Sequence, residues 1–148
     1  MKISKVVNSG KISLSFEVFP PKTEDTFDSV ETAIEEIAKL SPSFLSVTYG
    51  AGGGISENTL KIAKIIKDKY SVPTLAHLTC VSSSKEFVRK RIQELREAGI
   101  ENIMALRGDI PDELKNQDRS GWDYKHAVEL IRDIKQIDEN FCIGCACY

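Results

Sequence analysis

Short apolar segments and helical patterns alternate along this sequence with a period of about 30 to 40 residues. The apolar segments are rich in β-branched and aromatic residues, as strands are, and they occupy residues 12–19, 44–50, 73–80, 102–109 and 141–148. The stretches between them carry apolar side chains at helical spacing, for example Val88, Ile92 and Leu95. Strict alternation of strand and helix predicts an α/β domain with a parallel sheet and right-handed crossovers.

Two arrangements of such units fit the length of 148 residues. A doubly wound open sheet would use the whole chain. A (β/α)8 barrel needs about 250 residues, so the chain would supply only the first four βα units and strand five. Polar groups stand near every strand end, at Glu17, Thr48, Tyr49, His77, Thr79, Arg107, Asp109 and Tyr148. These ends would spread over roughly 20 Å in an open sheet but converge on one mouth in a barrel, which favours the barrel.

Alternation within the first strand supports the same fold. Ser13, Ser15 and Glu17 share one face, and the apolar residues Ile12, Leu14, Phe16 and Val18 share the other. Open parallel sheets are apolar on both faces, whereas a polar inner face is typical of a barrel. We therefore predict that residues 1–148 form the N-terminal part of a single parallel (β/α)8 (TIM) barrel domain. Because the sequence stops at the end of a predicted strand, we interpret it as truncated.

The composition disfavours several classes of protein. Lys and Arg number 20 against 22 Asp and Glu, so no basic surplus predicts a nucleic-acid partner. No apolar run approaches the roughly 20 residues that span a membrane, and no signal-peptide core is present, so we expect a cytoplasmic protein without membrane contact. Four cysteines suggest a reducing compartment. Cys142 and Cys145 have metal-ligand spacing, but alternation puts them on opposite strand faces, so we expect buried thiols and no metal site.

Glu17 is the first candidate for chemistry. It lies in F-E-V-F-P-P-K, where Phe16, Val18 and Phe19 would reduce its solvation. A desolvated carboxyl holds its proton near neutral pH, which suits a general acid. A structural carboxylate paired with Lys or Arg is the alternative.

Three further segments each allow two interpretations, one as a ligand contact and one as a structural element. The glycine-rich turn T-Y-G-A-G-G-G (48–54) matches neither the dinucleotide nor the Walker pattern, and would either approach a phosphate or serve as a flexible loop. His77 would contact a cofactor or be a core histidine. In L-R-G-D (106–109), Arg107 and Asp109 flank Gly108. The two side chains would form an ion pair or, as we favour, face a polar heterocycle.

Trp122 and Tyr124 follow the one long connection, residues 110–122. These aromatic side chains would either cover a planar ligand or anchor the next helix in the core.

Taken together, these segments resemble the 5,10-methylenetetrahydrofolate reductase family. The matching stretches are S-F-E-V-F-P-P-K (15–22), S-V-T-Y-G-A-G-G (46–53), A-H-L-T-C (76–80), A-L-R-G-D (105–109) and A-C-Y (146–148), in the family's order and at similar spacing. The resemblance implies a (β/α)8 barrel that carries FAD at the carboxyl ends of its strands. It also implies the reduction of 5,10-methylenetetrahydrofolate to 5-methyltetrahydrofolate with electrons from NAD(P)H, in one-carbon metabolism and methionine biosynthesis.

The resemblance also implies roles for individual residues. Glu17 matches the general acid that assists opening of the folate ring, because N10 is a poor leaving group until it is protonated. Asp109 matches the aspartate that tunes the flavin and stabilises the cationic folate, so both residues would contact substrate. The implied contacts to FAD or nicotinamide are Thr48, Tyr49, Ala51, His77, Arg107, Gly108, Asp109, His126, Ala127 and Tyr148. His126 stands where the family usually has a tyrosine.

The implied partner is a small-molecule folate, and family members are longer than this chain. A partial barrel would expose sheet edges, so self-association into a homo-oligomer is a further expectation. Two other functions compete: a catalytically incomplete barrel acting as a binding or assembly module, and a flavodoxin-like electron carrier. The reductase interpretation depends on one geometric prediction, namely that Glu17, Tyr49, His77 and Asp109 share a common pocket.

Overall fold

The computed structural model describes residues 1–21, 26–49, 55–110 and 112–146, with the backbone alone at 55 and 56. The strands are β1 (Ser15–Val18), β2 (Phe44–Val47), β3 (Thr74–Thr79), β4 (Asn102–Leu106) and β5 (Cys142–Cys145). The helices are α1 (Ile3–Val7), α2 (Phe27–Lys39), α3 (Ile55–Tyr70), α4 (Lys85–Glu97) and α5 (Ala127–Ile137), and a single 3₁₀ turn spans Asp112–Leu114. All five predicted strands are present but shorter than their apolar segments, and α1 was not predicted.

The five strands form one parallel sheet in the order β1-β2-β3-β4-β5. Each strand therefore lies beside its neighbour in sequence, and the order never reverses. A doubly wound sheet contains a point where the strand order reverses, and this is where such folds bind ligands. The flavodoxin-like alternative is therefore wrong, and the predicted arrangement is confirmed: the α/β fold of a partial (β/α)8 barrel.

The helices cover one face of the sheet. Residues on the covered face are almost fully buried: Val18, Leu45, Val47, Ala76, Leu78, Ile103 and Ala105. They pack in one core with apolar side chains of the helices, among them Ile34, Ile62, Ile66, Val88, Ile92, Leu130 and Ile134. Glu17, His77 and Met104 project from the opposite face, as strand alternation predicts. Ile12 and Leu14, expected on the covered face, precede β1 and are exposed.

The end of α4 fixes where β4 begins. Gly99 has φ +68°, its N–H donates to the carbonyl of Arg96 (2.9 Å), and Ile100 N–H donates to the carbonyl of Leu95 (3.0 Å). This pair of bonds is a Schellman motif, which needs a residue in the left-handed region. Gly99 thus terminates α4 and directs the chain into β4.

The N-terminal segment closes the amino end of the sheet around Asn102. This buried side chain accepts Ile3 N–H (2.8 Å) and donates to the carbonyls of Met1 (3.1 Å) and Thr74 (3.0 Å). The terminal ammonium also bonds Glu101. Since Thr74 and Asn102 are the first residues of β3 and β4, the segment lies at the edge of the sheet opposite the predicted site.

The cysteines differ from the expectation of buried thiols. Cys80 is buried, but Cys142 is only partly buried and Cys145 is exposed, because no described helix covers β5 at that point. In the part of the chain that the structure describes, no group of three or more His, Cys, Asp or Glu side chains is placed to hold a metal ion. No helix in the same ranges combines the length and apolar character needed to cross a membrane.

Candidate active site

The predicted site residues gather at the carboxyl ends of the strands. Glu17 lies near the end of β1, His77 near the end of β3, and Thr48 and Tyr49 directly follow β2. Residues 107–109 directly follow β4 in the same way. Parallel strands bring all these ends to one edge of the sheet. Motifs that are far apart in the sequence therefore lie close together in space.

Glu17 contacts two neighbours through one carboxylate oxygen. Ser46 lies opposite Glu17 in the β1–β2 register, and its hydroxyl donates to Glu17 Oε2 (3.3 Å). His77 Nε2 lies 3.5 Å from the same oxygen. Ser46 is buried and the His77 side chain is 12% exposed, so both neighbours of Glu17 are largely shielded from solvent. The structure thus joins Glu17 and His77 directly.

The surroundings of Glu17 differ from those expected. Its side chain is 46% exposed. Phe16 and Val18, which were expected to desolvate it, belong to the opposite face of the strand, where Val18 is buried in the core. Phe19 is itself 68% exposed. The expected desolvation by sequence neighbours is therefore wrong, and the carboxyl is reached from solvent.

His77 combines burial with a facing carboxylate. Burial lowers the pKa of His77 below its ordinary value, because the charged imidazolium loses solvation, while the negative charge of Glu17 opposes the shift. Burial is the larger effect and favours the neutral imidazole over the imidazolium. A neutral imidazole can still donate one N–H to the Glu17 carboxylate.

A first cavity of about 400 Å³ opens beside β3 and β4 at the carboxyl ends of the strands. It is lined by Tyr49, Thr79, Val81, Leu106, Arg107, Gly108 and Asp109. Tyr49 and Asp109 thus face one cavity, and Tyr49 also lines a small crevice with His77. Glu17 and His77 are not among the described residues lining the first cavity, so no one described cavity contains all four residues: Glu17 contacts His77, and Tyr49 shares one cavity with Asp109 and the small crevice with His77.

Gly108 shapes the wall of the first cavity. Its φ is +84°, and a Cβ placed there would lie 3.0 Å from both Thr79 Cβ and Val81 Cγ1. The turn is fastened because the Arg107 carbonyl accepts N–H groups from Cys80 (3.3 Å) and Val81 (2.8 Å). Close approach of backbone to side chains therefore requires glycine here.

Arg107 and Asp109 leave the strand pattern, because β4 ends at Leu106 and Gly108 is left-handed. No ion pair joins these two described side chains, both of which are exposed. The Arg107 side chain instead donates from Nε to the Gly108 carbonyl (3.3 Å). The alternative of a structural Arg107–Asp109 ion pair is therefore wrong.

A second cavity of about 380 Å³ adjoins the first. Its lining comprises Ala105, Leu106, Arg107, His126, Ala127 and Ala146. Leu106 and Arg107 line both cavities, so the two spaces meet at these residues. His126 and Ala127 stand at the start of α5, where the helix dipole favours an anion and where Glu129 Oε2 already accepts the His126 N–H (2.9 Å).

The predicted residues that remain are Thr48, Ala51, Trp122 and Tyr148. Thr48 is half-buried and its carbonyl accepts the Thr59 hydroxyl of α3 (2.9 Å), which ties the end of β2 to a helix. Ala51, with most of the glycine-rich turn, and Tyr148 lie outside the described residues. Trp122 is half-buried, and the Arg119 guanidinium lies 5.8 Å from its ring.

The sequence-based predictions missed Ser46. Its position on β2 directly opposite Glu17 is the signal that would have identified it.

The fold places this chain in the class of α/β proteins built as a (β/α)8 barrel, of which it forms a part, with the predicted site residues at the carboxyl ends of the strands. Comparison with known proteins makes this specific. The sequence profile of the family described as methylenetetrahydrofolate reductase matches residues 2–148. The chain belongs to this family.

Three relatives illustrate the similarity. The chain is 38% identical to the 5,10-methylenetetrahydrofolate reductase of Pectobacterium carotovorum over 94% of its own length and 44% of the relative's. It is 35% identical to the Escherichia coli protein of the same name, over 94% and 45% of the two lengths. It is 38% identical to a protein of Arabidopsis thaliana named methylenetetrahydrofolate reductase (NADH) 1, over 90% and 23%. The chain therefore spans less than half the length of each of these relatives.

Proposed function

We propose that residues 1–148 are the N-terminal part of a single FAD-binding (β/α)8 domain that reduces 5,10-methylenetetrahydrofolate to 5-methyltetrahydrofolate with electrons from NAD(P)H. The observation that carries the proposal is the pair of adjoining cavities at the strand ends, which meet at Arg107, in a chain of this family. The protein would act in one-carbon metabolism and methionine biosynthesis. The described cysteines are free thiols, which suits the cytoplasm.

The two cavities fit the chemistry of FAD. A flavin needs a space with flat or apolar walls and a few polar groups at the ring edge, which Tyr49, Leu106 and Asp109 offer in the first cavity. A diphosphate needs a cation, which Arg107 offers in the second, where the amino-terminal end of the α5 dipole also lies. The chemistry that bound FAD supplies is hydride transfer from a reduced nicotinamide to the folate.

The residues proposed to hold the cofactor and the nicotinamide are Thr48, Tyr49, Ala51, His77, Arg107, Gly108, Asp109, His126, Ala127 and Tyr148. For Ala51 and Tyr148 the support is the resemblance alone. The described cavities are lined by residues of β3, β4 and α5 and of the loops that follow β2, β3, β4 and β5.

Glu17 is proposed to move the proton that opens the folate ring. Its carboxyl is accessible, and Ser46 and His77 hold Oε2, which leaves Oε1 to face a substrate. The protonated form of Glu17 would act here: its proton passes to N10 as the bond from N10 to the methylene carbon breaks, the electron pair of that bond stays on N10, and the positive charge passes to N5. The negative charge of Asp109 would stabilise that cation.

The first experiment is a titration with FAD of the whole barrel domain to which residues 1–148 are proposed to belong, followed by the change in flavin absorbance and fluorescence. We expect saturable binding, then bleaching of the flavin by NADH or NADPH under anaerobic conditions. NADH is tested first, because the Arabidopsis relative carries it in its name. Absence of any FAD binding would contradict the proposal and favour the non-catalytic binding or assembly module.

The second experiment replaces Glu17 with Gln. We expect bleaching by NAD(P)H to persist, and reoxidation of the reduced flavin by 5,10-methylenetetrahydrofolate to fall by a factor of about 10² or more, as for loss of a general acid. Glu139→Gln is the matched control, since this exposed carboxylate lies in the turn before β5, away from the carboxyl ends of the strands. Normal folate reduction by the Glu17 variant would remove it from the proposed role.

A further inference from the structure

A buried hydrogen bond lies beneath the second cavity. Tyr124 is 1% exposed, and its hydroxyl donates to Asp133 Oδ2 at 2.6 Å. Asp133 is on the buried side of α5, between Leu130 and Ile134, and the Arg89 guanidinium of α4 lies 3.9 Å from the same oxygen. Tyr124 therefore anchors α5, which decides between the two readings of this aromatic residue.

A buried carboxylate under a helix is a feature that hydrophobic packing does not require. Taking a carboxylate out of water is unfavourable unless hydrogen bonds and a countercharge compensate the lost solvation. Here the hydroxyl of Tyr124 supplies the short bond and Arg89 supplies a partly solvated charge. Burial raises the pKa of Tyr124, and its bond to Asp133 raises it further, so the hydroxyl remains a donor across the physiological range. Directional pairs of this kind select one arrangement of the elements that they join.

The residues on either side of Tyr124 are fastened as well. Asp123 Oδ2 accepts the N–H of Lys85 (2.8 Å), the first residue of α4. Glu129 Oε2 accepts the N–H groups of Lys125 (2.6 Å) and His126 (2.9 Å). Residues 123–126, which we call the strap, are thus bonded to α4 and α5 at each position, and the strap ends at the wall of the second cavity.

We propose that the Tyr124–Asp133 hydrogen bond positions His126 and Ala127 in the second cavity and thereby sets the affinity of this site for FAD. Tyr124 and Asp133 are positioning residues, since neither lines the cavity, whereas the strap delivers His126 and Ala127 to a wall shared with Arg107. The inference rests on the proposed function, which supplies the ligand.

The test compares four variants with the wild type by FAD titration and thermal unfolding. Tyr124→Phe removes one hydroxyl, and we expect the Kd for FAD to rise about tenfold. Asp133→Asn keeps an acceptor for Tyr124, so its Kd should stay within about threefold of wild type. The double variant Tyr124→Phe/Asp133→Leu replaces both buried polar groups by apolar ones. Its Tm should be close to that of wild type, whereas its Kd for FAD should stay above the wild-type value. Tyr70→Phe, a hydroxyl removal at the end of α3 away from both cavities, should leave the Kd unchanged.

Two results would overturn the inference. The first is a double variant in which the Kd recovers together with the Tm, since the pair would then serve stability alone. The second is a set of variants whose Kd equals that of wild type.

A ligand-free measurement separates this inference from the proposed function. Amide hydrogen exchange of Lys125 and His126 should accelerate at least about fivefold in the double variant, while exchange in β3 stays at the wild-type rate. If wild-type protein binds no FAD, the proposed function fails, and exchange alone decides whether the pair positions the strap. Unchanged exchange at Lys125 and His126 would overturn the inference whatever FAD does.

Discussion

At the residue scale, the environment of Glu17 is made by its neighbours across strands. The residues adjacent in sequence, Phe16 and Val18, belong to the covered face, whereas Ser46 and His77 from β2 and β3 contact the carboxylate. Sequence reading selected Glu17 and His77 as candidates but gave the wrong physical reason for the first. The error arises because a strand separates adjacent residues onto opposite faces, so local composition does not describe the surroundings of a side chain.

The contact between Glu17 and His77 has a measurable consequence. Because the charge of Glu17 raises the pKa of His77 against the larger effect of burial, Glu17→Gln should lower the pKa of His77 further. NMR titration of the imidazole signals measures this shift, and exposed His126, the other histidine of the chain, is the internal control. An unchanged or raised pKa of His77 in the variant would show that the two groups do not interact in solution.

Gly108 and Gly99 offer a matched pair of substitutions. Both have positive φ, but a Cβ at Gly108 meets Thr79 and Val81 at 3.0 Å, while a Cβ at Gly99 meets the flexible end of Lys67 at 3.2 Å. Gly99→Ala should cost about 1–2 kcal/mol of unfolding free energy from backbone strain alone. Gly108→Ala should cost about 1 kcal/mol more, because packed atoms must also shift. Urea denaturation tests the order, and equal costs would contradict the close packing described at Gly108.

At the scale of elements, the strands and the long helices were predictable because their apolar side chains repeat at the strand or helix period. The 13-residue helix α4 carries its own signals, namely the Ser84 cap that accepts Phe87 N–H (3.2 Å) and Gly99 after its end. Helix α1 has five residues and one buried side chain, Ile3, too short a stretch for any period to show. Its stability comes from the bonds that Asn102 makes across about 100 residues of sequence, and no local pattern encodes such contacts.

Substitution of Asn102 tests whether its hydrogen bonds stabilise the N-terminal segment. Asn102→Ala removes three hydrogen bonds at a site that is 2% exposed, and should destabilise the protein by about 2–3 kcal/mol because Ile3 N–H and Thr74 C=O lose their partner. Asn140→Ala is the control, since exposed Asn140 bonds only the nearby Asp138 and should cost under about 0.5 kcal/mol. Chemical denaturation of both variants measures the difference. Equal effects would mean that the N-terminal segment is not held by Asn102.

At the scale of the whole molecule, β1 and β5 each pair with one strand among the described residues. Three large apolar side chains flank β1 in exposed positions: Ile12 (101%), Leu14 (50%) and Phe19 (68%). An unpaired strand edge beside apolar surface promotes association between chains. Self-association into a homo-oligomer therefore stays a prediction, and the unpaired edge of β1 with its exposed apolar side chains is the physical reason for it.

Sedimentation velocity over a range of concentrations tests the prediction. We expect the 148-residue protein to associate reversibly, and Leu14→Lys to weaken that association because a charge beside a strand edge opposes pairing. Val128→Lys is the control, since Val128 is similarly exposed (47%) but lies on α5. A monomer at all concentrations, or equal effects of the two lysines, would contradict the role of the β1 edge.

The sequence by itself determined the class of fold, the order of the strands and long helices, and the edge of the sheet at which the predicted site residues gather. It could do so because helix and strand periods are local, and because parallel strands necessarily bring their carboxyl ends to one side. The tertiary structure alone decided which neighbours Glu17 meets, how two cavities join at Arg107, and why Tyr124 and Asp133 are buried together. Those properties depend on contacts between residues remote in sequence, which register and packing create only when the sheet and its helices assemble.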